Sequence, residues 1–165
     1  PVKRGVLVGV AALALVACSD PGPGKVHPYD RAPVPAVPDH TAEVPAQGDL
    51  PDGQYWATVT GADSGEPAPT ITFHLVQATF DNKGQLQTID DPSRDLASPI
   101  AALASATVVA ADRQNYAVPA DELLSLLLDN PPSSDAPEGY AWSEFPFLVT
   151  ISGGQVVEAH QIWLA

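Results

Sequence analysis

The sequence predicts a mainly β (α+β) domain, a five-stranded antiparallel sheet or small barrel with one helix between strands three and four. Three observations predict it. Runs of alternating apolar residues are separated by Gly, Pro and Asp clusters, one leucine-rich segment has helical spacing, and residues 51–165 suffice for a single core.

Pro51-Asp52-Gly53 is a turn signal, and Gln54 to Thr60 (QYWATVT) follows as a first strand. Its period of two sets Tyr55, Ala57 and Val59 on one face and Trp56, Thr58 and Thr60 on the other. Gly61 to Pro69 reads as a loop. Thr70 to Phe80 (TITFHLVQATF) is the second strand, with Ile71, Phe73 and Leu75 opposite Thr72, His74 and Val76. The two are expected to pair as a hairpin.

Asp81 to Pro99 is polar and reads as a loop. Ala101 to Ala111 joins an alanine-rich start to Thr107-Val108-Val109, which predicts a short helical turn followed by a third strand. Pro119 opens a helix over ADELLSLLLDN, with Asp121 and Glu122 suited to the positive end of its dipole and Asn130-Pro131-Pro132 as its stop. Leu123, Leu124, Leu127 and Leu128 form its apolar stripe, widened by Leu126. Phe147 to Ile151 and Gln155 to Trp163 flank Ser152-Gly153-Gly154, the strongest hairpin signal in the chain. A helix between third and fourth strands is the order seen in OB-type barrels.

The residues before the body divide at Cys18. Lys3 and Arg4 precede an uncharged run, Gly5 to Ala17, which has the anatomy of a secretory signal peptide. As a helix this run rises about 20 Å, short of the roughly 30 Å hydrocarbon core, so it is expected to be cleaved rather than to span. Residues 18–50 are expected to form a disordered, proline-rich tether, with seven prolines between Ser19 and Leu50 and no apolar periodicity. His27, Tyr29 and His40 read there as solvated linker residues. Pro33 to Pro38 (PVPAVP) could dock in an aromatic groove.

Leu15-Val16-Ala17-Cys18 resembles the lipobox of bacterial lipoproteins. The resemblance implies cleavage between Ala17 and Cys18 and a diacylglyceryl group on the Cys18 thiol, leaving the chain anchored to the cell membrane and facing its extracytoplasmic side. An ordinary secreted protein with a cysteine at its cleavage site is the competing reading. The body is similar to small lipoproteins and secreted proteins of high-GC Gram-positive bacteria, through Asp52-Gly53-x-Tyr55, Thr72-Phe73-His74-Leu75 and Phe147-Leu148-Val149-Thr150-Ile151-x-Gly153-Gly154-x-Val156. That likeness implies a fold and an address and brings no activity with it.

Seven Lys and Arg against 20 Asp and Glu give a net charge of −13, which argues against nucleic acid as a partner. The single cysteine allows neither an internal disulfide nor a Cys-rich zinc cluster. No cofactor is expected. His74, Glu158 and His160 are the candidate metal or acid–base residues, since Glu158-x-His160 puts both groups on one strand face, but they need the second and last strands to be neighbours. Ser152-Gly153-Gly154 is turn chemistry and not a nucleophile elbow. Trp56, Tyr140, Trp142 and Phe145 are candidate ligand contacts, for an envelope protein, glycan or small apolar ligand if exposed and as the lid of the core if buried. The sequence thus favours a non-enzymatic binding module, with a small envelope enzyme as the alternative.

Overall fold

The computed structural model describes residues 28–38, 48–83 and 86–163. The expected leader, with Ala17, and also Cys18, His27 and His40 lie outside them. The described chain is mainly β, with seven strands and one short helix: β1 (Asp30–Ala32), β2 (Gly53–Asp63), β3 (Thr70–Phe80), β4 (Leu86–Val109), β5 (Asn115–Val118), α1 (Ala120–Leu127), β6 (Phe147–Ser152) and β7 (Gln155–Gln161).

The sheet is mixed and not a five-stranded antiparallel one. Its order is β1-β5-β4-β3-β2-β6-β7, with a further pairing between β4 and β7. That last pairing is parallel, setting Ile100 opposite Val156 and Thr107 opposite His160. The ladder β4-β3-β2-β6-β7 therefore returns to β4, and five strands form a closed circuit from which β5 and β1 extend. Such a circuit leaves fewer exposed strand edges than an open sheet of the same strands would.

Residues 81–99, expected to be a loop, instead supply much of β4. Leu86 to Pro99 pairs with β3, from Phe80↔Leu86 to Thr70↔Pro99. Proline lacks an amide hydrogen, yet Pro92 is accommodated because the register jumps there: Leu75 faces Asp91 and His74 faces Asp95, leaving Pro92 to Arg94 outside the ladder. Ala101, expected in a helical turn, also belongs to β4. Cross-strand hydrogen bonding overrode both polar composition and alanine propensity.

The tether reading is corrected at Tyr29–Ala32. β1 pairs antiparallel with β5, Tyr29 N–H donates to the Ala117 carbonyl at 2.7 Å, and the Tyr29 ring is only 6% exposed. One aromatic residue with a two-sided neighbourhood needed no apolar periodicity to be buried.

The predicted faces of the first two strands hold. Tyr55, Ala57, Ile71, Phe73 and Leu75 enter the main core with Phe147, Val149, Ile151 and Val156. Trp56, Val76, Leu148 and Ile162 form a second cluster on the opposite face, against which Val37 packs. The proline-rich 33–38 stretch thus lays Val37 on a hydrophobic cluster of its own chain. α1 packs on β4 and β2, burying Leu123, Leu124 and Leu126 while Leu128 stays exposed. The helix ends as Asp129 takes a left-handed φ of 59° and Asn130 N–H reaches back to the Ser125 carbonyl at 3.1 Å. At the last hairpin Gly153 and Gly154 have φ of 59° and 74°, the signature of a tight primed turn.

Candidate functional site

One concavity follows from where β6 parts from β2. Their pairing begins at Gly53↔Ile151 and stops at Ala57↔Phe147, because the preceding residue is Pro146. The Pro146 carbonyl accepts a hydrogen bond from Ile162 N–H at 3.1 Å, which ties this segment toward the end of β7. β2 runs on to Asp63 with β3 along its other side, through an irregularity between Val59 and Gly61. A groove of about 270 Å³ opens between Thr58–Gly61 and the segment of Trp142 and Glu144–Phe147, with Leu127 and Asp129 also in its lining.

Aromatic packing holds the latter segment. Trp142 lies against the core, its ring centroid 6.2 Å from that of Phe147. Phe145 meets Trp163 at 5.0 Å, and the Arg113 guanidinium sits 4.7 Å from the Trp163 ring centre. Behind this segment Gln161, fully buried, accepts from Val109 N–H at 2.9 Å and donates to the Ser143 carbonyl at 2.8 Å. A buried amide with both ends satisfied fixes where the segment crosses the sheet.

The four aromatic candidates are not one patch. Trp142 and Phe145 line the groove. Trp56, 4% exposed, belongs to the second hydrophobic cluster. Tyr140 packs edge-on against Tyr29, ring centroids 5.1 Å apart, and lines a separate cavity with Tyr116 and Asp112.

Nor does the fold assemble His74, Glu158 and His160. β3 lies between β2 and β4, whereas β7 lies between β6 and β4. His74 pairs with Asp95 on β4. Glu158 accepts from the Thr150 hydroxyl at 2.8 Å, and His160 Nδ1 is 3.1 Å from the Thr107 hydroxyl. Burial pulls the His160 pKa down, with Glu158 opposing, so the ring favours its neutral form. Among the described residues no group of three or more His, Cys, Asp or Glu side chains is placed to hold a metal ion. With an irregularity between Thr150 and Ile151, Val156 turns into the main core together with Ala159, while Ile162 joins the other cluster.

A polar cluster that sequence reasoning missed lies under β1. Glu122 Oε1 accepts from the Tyr29 hydroxyl at 2.7 Å and from Ser133 N–H at 2.9 Å. Burial first, and then the bond to Glu122, raises the Tyr29 pKa; burial followed by the Glu122 charge raises that of Tyr140. Both phenols stay neutral at ordinary pH, which suits a structural role better than acid–base work. The only sequence signal was an aromatic residue isolated among prolines.

Compared with family models, curated proteins and solved structures, the chain matches none.

Proposed function

We propose that this chain is a lipid-anchored, extracytoplasmic binding domain of the cell envelope, non-enzymatic, built on an OB-type barrel. The observation that carries the address is Leu15-Val16-Ala17-Cys18 at the end of an uncharged run behind Lys3 and Arg4. Two acyl chains on Cys18 supply the two hydrophobic signals that stable anchoring requires. Support for the OB-type barrel comes from the circuit β4-β3-β2-β6-β7, its one parallel closure, and α1 between the third and fourth strands of that circuit. The groove beside Trp142 and Phe145 supports binding, through its aromatic wall. The His74, Glu158 and His160 alternative has less support: Glu158 acts on His160 from the same strand, but His74 pairs with Asp95 on β4, and among the described residues no three such groups are placed to hold a metal ion.

The ordered β1 shortens the tether. Between Cys18 and Tyr29 the chain can extend on the order of 40 Å at most, against about 100 Å for the whole 18–50 segment. The barrel is thereby kept near the membrane. Net charge gives it no attraction to anionic headgroups, so the lipid alone holds it there.

Cell fractionation tests this reading. Cys18→Ala should move the protein from the membrane to the medium or soluble fraction, and a variant that stays with the membrane overturns the anchor.

A further inference from the structure

We propose that the edge of β2 at Thr58–Gly61, together with the facing Trp142–Pro146 segment, docks an extended, lysine- or arginine-bearing peptide of a partner protein, which adds to β2 as a further strand. The inference rests on the binding-module reading above and names its partner class.

Three observations carry it. β2 has 11 residues, and β6 covers only Gly53 to Ala57 of them, so from Thr58 onward one side of β2 has no strand partner among the described residues. An uncovered strand edge offers backbone donors and acceptors in the spacing an incoming strand needs. The facing wall presents Trp142 and Phe145, which can receive alternate side chains of such a strand, while the backbone ladder aligns it. Asp129 and Glu144 are exposed residues of the lining, and no lysine or arginine lines the groove. Complementarity therefore selects a cationic strand.

Charge also argues against two other occupants. Residues 39–47 carry Asp39 and Glu43 and no lysine or arginine, and a second copy of this chain brings a net charge of −13 to an acidic rim. The uncovered edge from Thr58 to Asp63 accommodates a strand of about six residues.

The test uses the full chain in a mild non-ionic detergent, titrated with the capped hexapeptide acetyl-KVKVKV-amide by calorimetry and amide chemical-shift mapping. Saturable binding is expected, with shifts concentrated at residues 58–61 and 142–146. The D129N/E144Q double variant should weaken it about tenfold and flatten its salt dependence. Acetyl-EVEVEV-amide, and a KVKVKV peptide N-methylated at alternate residues, should not bind. Absence of KVKVKV binding, equal binding of the N-methylated peptide, shifts confined to other surfaces, or a concentration-dependent dimer at residues 58–61 would each overturn the proposal. Fractionation of the Cys18→Ala variant reads the anchor separately, so failure of the groove and failure of the anchored-module reading give different results.

Discussion

Tyr29 and Glu122, 93 positions apart in the chain, are joined by a 2.7 Å hydrogen bond from phenol to carboxylate. The bond fastens the segment that leads toward Cys18 onto the first turn of α1. It turns part of an expected spacer into part of the domain.

Tyr29→Phe removes that bond while keeping the ring, and should cost about 1.5–3 kcal/mol, the range for hydrogen bonds to charged groups. Tyr29→Ala also empties a site in the core and should cost about 3–5 kcal/mol. Urea unfolding of both variants measures the difference. Unchanged midpoints would mean that β1 does not belong to the cooperative unit.

Alkaline stability follows from the tyrosines. Tyr29, Tyr55 and Tyr140 have pKa values raised chiefly by burial, and Tyr116 chiefly by its hydrogen bond to Asp112. Above about pH 10 the unfolded chain loses these protons first, so it binds fewer protons than the folded chain and stability falls as pH rises. Tyrosinate absorbance and loss of β-sheet circular dichroism should change together. Titration of all four phenols near pH 10 with the fold intact would contradict this.

His160 gives the opposite slope at acid pH. Its lowered pKa means that the unfolded chain takes up a proton first as pH falls below about 6.5, so this histidine's contribution is present above that pH and is lost on acidification. Thermal unfolding near pH 7 and pH 5 should show a smaller acid-induced drop for His160→Gln than for the wild type. Equal drops in both would place the acid sensitivity elsewhere.

Two glycines separate backbone strain from crowding. A Cβ at Gly153 or at Gly61 meets nothing within 4 Å, but Gly153 alone of the two has a left-handed φ. Gly153→Ala should therefore cost about 1–2 kcal/mol, whereas Gly61→Ala should be close to neutral. Denaturation midpoints decide it, and equal effects would refute the primed turn.

What the sequence revealed was what local pattern encodes. The faces of Tyr55/Trp56 and Phe73/His74, the helix behind Pro119 and the Gly153-Gly154 turn all follow from periodicity and turn chemistry over a few residues. β1, the first half of β4, and β5 did not, because each is held by a partner distant in sequence. Leu86 to Asp95 is polar by composition and is a strand because β3 lies beside it. Gln161 lies in the core because Val109 and the Ser143 carbonyl satisfy its amide. In the candidate site, Trp142 and Phe145 were legible as aromatics. The gap left where β6 departs from β2 was not, since it depends on which strands become neighbours.

The anchor proposed above makes Cys18 the lipid-bearing first residue of the mature protein. Mass spectrometry of the N-terminal peptide from the membrane-fraction protein tests it most directly. A peptide beginning at Cys18, with a diacylglyceryl group on its thiol, is the predicted result. A peptide that retains Ala17, or an unmodified Cys18 thiol, would contradict it.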